Sequence, residues 1–295
     1  MLEWPSGAEQ PELPVVTAAR CRVRRKRRVA ESVPKTVRGM FWNCRGLETE
    51  LLLLKDYMRS KAVSFACLCE TKVCGADLSC SEWIWIPGPE TLPKMGSALP
   101  RMGLGVLADR RMFPSAAAVK TGKYTVWVRL QGADADFFIC AAYAPVYVAQ
   151  KMAAFEEVIA SSQTFRGKGL IAIGGDFNAR CGYNGDAVVS SEGKRLVGMC
   201  QEAGLTLVNS LADICKGDFT RVQKACVDGV DTTFRTTIDY VLVPSEQEDR
   251  TISLTIDEES GLDSDHRRLL LNTLAPGPPT WDPARDASSG AAVCC

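Results

Sequence analysis

Asp176 and Asn178 follow a short apolar run at residues 170–173 that ends in two glycines. An apolar run of this length bounded by glycine predicts a buried strand, and the glycines would let the backbone turn sharply at its end. Because alternate residues of an extended chain share a face, the acid and the amide would emerge on the same side. The pair could orient a reacting water, or it could cap the strand as an Asx turn.

Three more polar side chains stand at or just beyond the end of a predicted buried strand. They are Asn43, Glu70 and Tyr143. Each alone is weak evidence of function, because polar residues also end strands that have only a structural role. Their joint placement with the acid and amide of segment 169–180 favours one polar cleft at the ends of the buried strands.

The single histidine of the chain, His266, follows Asp265 directly, and Asp239 lies inside an apolar run at 237–243. A carboxylate among apolar residues is costly without a partner, and His266 is a candidate. An Asp–His pair fixes the tautomer and raises the pKa of the imidazole, so the protonated ring could bind a phosphate oxygen. Glu70 and Asp265 are hard oxygen ligands that suit Mg²⁺. These parts are what metal-assisted phosphodiester hydrolysis requires.

The composition is that of an ordinary globular protein, with 46% hydrophobic and 24% charged residues in a chain of 295. This length allows one large α/β domain or two small ones. The sequence contains no apolar run long enough to cross a bilayer and no secretory signal at its start. The 13 cysteines are therefore expected as reduced thiols. A zinc site among them is the weaker interpretation, because the spacing of Cys67, Cys69, Cys74 and Cys80 is not typical.

Positive charge is concentrated near the start of the chain, where seven of the nine residues 20–28 are Lys or Arg. Without those seven, 28 basic residues face 35 acidic ones, so a nucleic-acid partner would be bound by local basic patches. The run could be a nuclear-localisation signal, a nucleic-acid arm or a solvated tail. We expect a disordered basic arm at 1–35, one domain at 36–275 and a flexible tail at 276–295.

Apolar patterns predict the elements of that domain. Strands are expected at 37–42, 63–69, 83–86, 103–108, 124–130, 137–142, 170–173, 205–208, 237–243 and 267–274. Helical spacing predicts helices at 47–60, at about 148–159 and at 193–203, the last ended by Gly204. Because the helices are too few for strict β–α alternation, we expect an α/β domain with largely antiparallel sheets packed face to face.

Six short motifs together resemble the endonuclease/exonuclease/phosphatase superfamily. In chain order they are W-N-C-R-G-L at 42–47, C-E-T-K at 69–72, Y-A-P at 143–145, G-D-F-N at 175–178, I-D-Y at 238–240 and S-D-H at 264–266. The first motif, together with G-G-D-F-N-A, is most similar to the apurinic-type endonuclease domain of non-LTR retrotransposons. The resemblance implies a four-layered sandwich, in which two mixed, mostly antiparallel β-sheets are flanked by helices.

The resemblance also implies an activity. It implies Mg²⁺-dependent cleavage of a DNA strand, with Mn²⁺ as a substitute, that leaves a 3′-hydroxyl and a 5′-phosphate. In retrotransposons that nick primes reverse transcription, so a reverse transcriptase of the same element could be a partner. We expect a monomer without a membrane partner, located in the nucleus or otherwise inside the cell. No reverse transcriptase follows in this chain. Three interpretations of the chain therefore stay open: a truncated copy of an element, a fragment of a polyprotein and a free-standing nuclease.

The resemblance implies a role for each matched residue. Glu70 is the principal metal ligand, with Asn43 and Asp265 close to the metal. Asp176 acts on the water beside Asn178, Tyr143 contacts the phosphate, and His266 paired with Asp239 binds the scissile phosphate. The candidates for nucleic-acid contact are Arg45, Lys72, Arg180 and Arg267. One departure is that Arg267 and Arg268 follow the histidine, where the family often has a proline two residues on.

Two other functions stay open from the sequence. One is a phosphoesterase of the same superfamily that acts on phosphoinositides or sphingomyelin. The W-N-C-R-G-L motif and the basic arm make this function less favoured than a nuclease. The other is a catalytically decayed module that only binds nucleic acid, for which the basic run is the evidence.

Overall fold

A computed structural model of the protein describes residues 36–47, 49–73, 75–89, 103–132, 135–259 and 261–275. The basic arm expected at 1–35 and the tail expected at 276–295 lie outside the described residues, as does Cys74. The helices are α1 (Leu51–Ser60), α2 (Val148–Phe165) and α3 (Ser191–Glu202). The strands are β1 (Thr36–Asn43), β2 (Phe65–Cys69), β3 (Trp83–Pro87), β4 (Leu104–Asp109), β5 (Ser115–Thr121), β6 (Thr125–Gln131), β7 (Asp136–Tyr143), β8 (Leu170–Asp176), β9 (Leu205–Leu207), β10 (Cys215–Lys216), β11 (Arg221–Val227), β12 (Val230–Thr236), β13 (Asp239–Pro244), β14 (Thr251–Asp257) and β15 (Arg268–Leu274).

Two mixed sheets make up most of the described chain. The first has seven strands in the order β10-β14-β15-β1-β2-β4-β3, and the second has six in the order β5-β6-β7-β8-β13-β9. Most neighbouring strands are antiparallel, and the parallel pairs are β1 with β2, β7 with β8, and β10 with β14. The expected α/β class with largely antiparallel sheets is therefore confirmed.

The two sheets pack face to face through one apolar core. Side chains of the first sheet, such as Phe41, Phe65 and Val106, belong to the same buried cluster as Val128 and Ile139 of the second. The rings of Phe41 and Phe65 meet edge to face at 6.0 Å. Burial of such a side chain contributes roughly 1.5–3 kcal/mol, so this core is what holds the two sheets together.

Helices cover the outer face of each sheet. On the first sheet, Leu54 and Met58 of α1 pack in a cluster with Trp42 of β1. On the second, α2 and α3 contribute Phe155 and Leu196 to a cluster on the opposite face. The order helix, sheet, sheet, helix is the four-layered sandwich that the motif resemblance implies.

The helix boundaries differ slightly from those expected. Helix α1 begins at Leu51 rather than at 47, because the N–H of Leu47 donates to the carbonyl of Thr71 at 2.9 Å and so belongs to a loop. Helix α3 is capped by Ser190, whose hydroxyl accepts from the N–H of Gly193 at 3.0 Å. It ends as expected before Gly204, which takes the left-handed φ of +65° that a C-terminal glycine supplies.

The sequence patterns missed strands β5, β10, β11, β12 and β14. The two strands β11 and β12 pair with each other as a hairpin outside both large sheets. Their side chains are mostly exposed, so they lack the apolar alternation that marks a buried strand. The signal that could have found them is the turn, since Asp228 and Gly229 have φ of +51° and +79° and Asp-Gly is a strong hairpin dipeptide.

The cysteines that the structure describes are free thiols. Cys67 and Cys69 are buried in the core between the sheets, whereas Cys80 is exposed beside the Lys55 ammonium. These three cysteines therefore do not form a zinc site. Within the described ranges, no helix is long and apolar enough to cross a membrane.

Candidate active site

Three predicted site residues stand in one row across the second sheet. Asp176 is the last residue of β8, Tyr143 is the last of β7, and Asp239 is the first of β13. In the strand register Asp176 is the partner of Tyr143 on one side and of Asp239 on the other. Because β7 and β8 are parallel and β13 runs the other way, the strand ends bring all three residues to one edge of the sheet.

The first sheet brings Asn43 and Glu70 to the same edge of the sandwich. Asn43 ends β1 opposite Cys69, the last residue of β2, and Glu70 follows directly. The Nδ2 of Asn43 donates to Glu70 Oε1 at 2.9 Å and to Asp176 Oδ2 at 3.0 Å. This buried amide therefore joins the two sheets and holds two carboxylates beside each other, although like charges repel.

The two glycines before Asp176 do not make a turn, so that expectation was wrong. Both lie within β8. A Cβ on Gly174 would come within 2.4 Å of the Phe41 ring, and one on Gly175 within 1.9 Å of the Ala142 carbonyl oxygen. Gly175 also has a φ of +151°. The glycines let the two sheets and the neighbouring strand approach closely just beneath the site.

His266 is buried and is held by Asp239. Its Nδ1 lies 3.1 and 3.0 Å from the two carboxylate oxygens of Asp239, and the Thr220 hydroxyl donates to the same carboxylate at 2.7 Å. Burial lowers the pKa of His266, but Asp239, Asp176 and Asp265 outweigh it and raise the pKa to about 9. The ring is therefore protonated at neutral pH and presents Nε2–H to the cleft, 3.9 Å from Asp176 Oδ2.

Asp176 is fixed by donors on both of its oxygens. The N–H of Asn178 donates to Oδ1 at 2.9 Å, while Asn43 holds Oδ2. Burial and the neighbouring charge of Asp239 raise the pKa of Asp176 to about 7, although His266, Asn178 and Asn43 lower it. A carboxylate with such a pKa can take up and release a proton near neutral pH.

Asn178 is itself held tightly beside that acid. Its Nδ2 donates to the Ala144 carbonyl at 2.9 Å, and its φ is +47°. Arg45, Glu70 and Lys72 have the same left-handed backbone, which is unfavourable for residues other than glycine. Backbone strain of this kind concentrates at functional sites, and these four residues lie in the loops that carry the site.

Asp265 is clamped between two arginines. Arg45 donates to its Oδ1 at 3.0 Å and Arg221 to its Oδ2 at 2.8 Å. Burial raises the pKa of Asp265, but the hydrogen bond from Arg221 and the charges of His266 and both arginines lower it below its usual value. Asp265 is therefore ionised beside the cleft, with both oxygens already engaged.

Tyr143 completes the polar lining. Burial and the negative charges of Glu70 and Asp176 raise the pKa of its phenol far above the usual range. The hydroxyl thus stays protonated at any physiological pH and can act as a hydrogen-bond donor.

The four arginines and lysines expected to contact nucleic acid fall into two groups. Arg45 and Lys72 stand together at the rim, where the Lys72 ammonium donates to the Arg45 carbonyl. Arg180 is instead engaged with Asp186, at 2.8 Å from Nε to Oδ2. Arg267 donates to the Asp218 carbonyl at 2.6 Å and to Glu258 at 2.8 Å. The structure therefore places Arg45 and Lys72 beside each other, whereas Arg180 and Arg267 are each bound to an acidic side chain away from that pair.

Several residues that hold the site were given no role from the sequence, although Trp42 and Ser264 lie inside the quoted motifs. Ser264 donates to the Asn43 carbonyl at 2.8 Å, and the Trp42 indole donates to the His266 carbonyl at 3.0 Å. Thr220 precedes β11 and Arg221 is its first residue, in a polar stretch where no apolar pattern drew attention to them. Their strand pairs by a single bridge with His266, so the base of the hairpin is part of the site.

Among the described residues, Asp176, Asp239 and His266 place potential ligand atoms within 4.8 Å of one another. Because His266 is protonated and bonded to Asp239, it is a poor metal ligand in this arrangement. Carboxylate and amide oxygens at Glu70 and Asn43 are better suited to a hard divalent cation.

Known structures resemble this arrangement of sheets. The endonuclease domain of TRAS1, a telomere-specific non-LTR retrotransposon, superposes with a TM-score of 0.64 at 15% identity over 80% of this chain and 98% of that one. The AP endonuclease LMAP from Leishmania major gives 0.61 at 11% identity over 82% and 89%. An endonuclease/exonuclease/phosphatase family protein from Leptotrichia buccalis gives 0.56 at 11% identity over 80% and 98%.

At the level of sequence, no family model matches the chain, and no curated protein matches it significantly. The structural similarities establish the fold, which is that of the endonuclease/exonuclease/phosphatase superfamily. This agrees with the fold that the six motifs implied, which the TRAS1 domain and the AP endonuclease share at similar TM-scores.

Proposed function

We propose that this protein is a metal-dependent endonuclease that nicks DNA and leaves a 3′-hydroxyl and a 5′-phosphate. The observation that carries the proposal is the Asn43 amide, which joins Glu70 of one sheet to Asp176 of the other. The Asp239–His266 pair faces the same cleft. A cation site, a group that activates water and donors for developing charge are what phosphodiester hydrolysis needs.

Mg²⁺, with Mn²⁺ as a substitute, fits the side chains of the cleft. The raised pKa of Asp176 marks uncompensated negative charge in a buried place, which a cation would relieve. Glu70 would hold the ion. Asn43 would bind it through Oδ1, which now accepts from the Arg45 N–H at 3.1 Å, because its Nδ2 donates to both carboxylates. Asp265 would contribute through the waters that Mg²⁺ usually retains, because both of its oxygens accept from arginines. When bound, the ion supplies Lewis-acid polarisation of a phosphate oxygen.

Side chains of the site would carry out the other steps of the hydrolysis. A water attacks the phosphorus and the bond from phosphorus to the 3′ oxygen breaks, so the phosphate stays on the 5′ end. Asp176 accepts a proton from that water, because the Asn178 N–H and the Asn43 amide hold both of its carboxylate oxygens in a fixed position. The Nε2–H of His266 and the Tyr143 hydroxyl donate to phosphate oxygens as negative charge develops. The 3′ oxygen takes its proton from solvent.

The cleft rim offers cations for the DNA backbone. Arg45 and Arg221 each use one side of the guanidinium on Asp265, and the remaining donors are available to phosphates. Lys72 adds a third positive charge. Arg180 and Arg267 would contact DNA only if they left their present partners.

The biological role that we propose is the target-nicking step of a non-LTR retrotransposon. It is supported by the order of the six motifs and by the similarity in fold to the TRAS1 domain. In that role the protein acts in the nucleus as a monomer beside the reverse transcriptase of the same element, and the basic run at 20–28 serves as a nuclear signal or a DNA contact.

The test is the nicking of supercoiled plasmid with Mg²⁺, with Mn²⁺ and with a chelator. We expect open circles with either metal and none with chelator, Glu70→Gln or His266→Ala. Asp136→Asn, at the opposite end of β7 from Tyr143, is the matched control and should nick normally. A DNA polymerase should extend the nick without prior treatment, since a 3′-hydroxyl is predicted.

Other outcomes would favour the alternatives. Release of inorganic phosphate from an inositol polyphosphate, without nicking, would favour the phosphoesterase. Salt-sensitive DNA binding that Glu70→Ala leaves unchanged, without cleavage by the wild-type protein, would favour the decayed binding module.

A further inference from the structure

Lys151 is a buried lysine that contacts the loop of Asn178. It lies in the first turns of α2 and is only 6% exposed. Its ammonium donates to the Asn178 carbonyl oxygen at 2.6 Å and lies 4.0 Å from Glu192 Oε1 at the start of α3. One ammonium therefore connects two helices of the outer layer to the loop that carries a predicted catalytic residue.

Burial of this ammonium is costly, because a charge loses its hydration in the protein interior. A methionine of similar length would fill the same space without that cost. The carbonyl and the Glu192 carboxylate compensate the charge in part. What distinguishes lysine from methionine at this site is the contact that its ammonium makes, not the volume of its side chain.

The contact fixes the peptide that follows Asn178. Asn178 has a left-handed φ of +47°, which an L-residue adopts only when its surroundings impose it. The same residue donates its N–H to Asp176 Oδ1 at 2.9 Å and its side-chain amide to Ala144 at 2.9 Å. If the carbonyl were released, the backbone could relax toward φ below zero, and the bond that orients Asp176 would weaken.

We infer that Lys151 is a positioning residue: by holding the Asn178 carbonyl, it keeps the Asn178 N–H on Asp176 and so aims the carboxylate at the water. The inference rests on the proposed nuclease function for its kinetic part. Lys151 is enclosed beneath the loop rather than exposed at the cleft, so a contribution to substrate binding is not expected of it.

The variant Lys151→Met tests the inference, and Lys55→Met is its matched control. Lys55 is the other buried lysine of the described helices, at 9% exposed. It also donates to a backbone carbonyl, that of Leu78 at 3.4 Å, but it lies on α1 away from the Asn178 loop. Both variants remove a buried charge, and only one removes the contact with Asn178.

Two measurements are expected to distinguish Lys151→Met from Lys55→Met. In plasmid nicking with Mg²⁺, Lys151→Met should lower kcat by about 10- to 100-fold with little change in KM, since small misplacements of a catalytic group have effects of that size. Hydrogen exchange of the Asn178 amide, followed by NMR, should accelerate in Lys151→Met only. Lys55→Met should match the wild-type protein in both measurements.

Nicking at the wild-type rate, or an Asn178 amide that exchanges as slowly as in the wild type, would overturn the inference. If the wild-type protein nicks nothing, the proposed function fails, and amide exchange alone still decides whether Lys151 holds the loop. Should Lys151→Met not fold, Lys151→Gln takes its place, because its shorter side chain ends one atom before the ammonium position and must meet the same two expectations.

Discussion

Asp239 lies directly opposite Asp176 on the neighbouring antiparallel strand. Strand register thus brings two carboxylates together where neither is well solvated, and each must find a cation or a donor. Asp239 is hydrogen-bonded to His266 and Thr220. Asp176 accepts hydrogen bonds from the Asn43 amide and the Asn178 N–H. The electrostatics of the site follow from this pair, because the charge of Asp239 helps to raise the pKa of Asp176 and both carboxylates raise the pKa of His266.

The pair predicts an unusual titration for His266 in the metal-free protein. Because it is the only histidine in the chain, its ring resonances can be followed by NMR without ambiguity. We expect titration near pH 9, the value to which the three acids raise its pKa against the effect of burial. In Asp239→Asn the strongest of those charges is lost, so the midpoint should fall toward the ordinary value of about 6.5.

The raised pKa of His266 also makes the stability of the protein depend on pH. A group whose pKa is raised by folding stabilises the protein fully below its unfolded pKa, and the contribution is lost as the pH rises through about 9. Nicking by Asp239→Asn at neutral pH should fall by about fourfold from the loss of protonated ring alone, since a pKa of about 6.5 leaves roughly a quarter of the rings protonated at pH 7, and it should fall further because the ring loses the partner that orients it. If the NMR titration of His266 keeps its midpoint near pH 9 in Asp239→Asn, the pairing of His266 with Asp239 is contradicted.

Arg180 and Asp186 predict a second effect, on stability rather than on chemistry. The Asp186 side chain is 2% exposed. It accepts from Arg180 at 2.8 Å and from the Thr237 N–H at 3.0 Å. Asp186→Ala leaves the Arg180 guanidinium without its partner, so unfolding free energy measured in urea should fall by about 3 kcal/mol. Asp136→Ala, which breaks the more exposed pair with Arg129, should cost less than about 1 kcal/mol.

The same pair predicts a dependence on pH. Burial raises the pKa of Asp186, but the bonds from Arg180, Thr237 and Val188 outweigh it and hold the pKa below the usual value. The stabilisation is therefore fully present above about pH 4, the unfolded pKa, and is lost as the pH falls through the folded one. The stability difference between wild type and Asp186→Ala should shrink below pH 4, and a difference that grows there would refute the assignment.

Arg221 predicts a change in DNA affinity. If its free donors bind a phosphate, Arg221→Gln should weaken binding to all sequences alike and reduce the slope of log K against log salt by about 0.9. Lys168→Gln is the control, since that exposed lysine precedes β8 at the end opposite Asp176. Fluorescence anisotropy with a labelled duplex at several salt concentrations measures both. An unchanged slope in Arg221→Gln would exclude it from the DNA contact.

Much of the fold was predictable, because the apolar pattern of a buried strand lies within one short stretch of sequence. The runs at 137–142 and 170–173 predicted β7 and β8, and the polar residues after such runs meet because parallel strands end at the same edge. The cluster of Asn43, Glu70 and Asp176 was predicted from their shared place at strand ends, but the packing of the first sheet on the second, which brings them together, could not be read from either strand.

Other features were not predictable, for physical reasons that differ. The strands of the β11–β12 hairpin are exposed, so only the Asp228–Gly229 turn marks them. The clamp on Asp265 joins residues 220 and 44 positions apart, and no local pattern encodes such a pair. Gly174 and Gly175 were misread as a turn, since glycine permits close packing as well as bends. Lys151 resembled any other lysine on a helix.

The most direct measurement of the central claim is the single-turnover rate of plasmid nicking by wild-type protein and by Asp176→Asn with Mg²⁺. Asparagine keeps the size of the side chain and removes its capacity to take a proton, so we predict nicking by the wild type and a rate at least about 100-fold lower in the variant. The account is contradicted if the wild type leaves plasmid intact with Mg²⁺ and Mn²⁺, or if Asp176→Asn nicks as fast as the wild type.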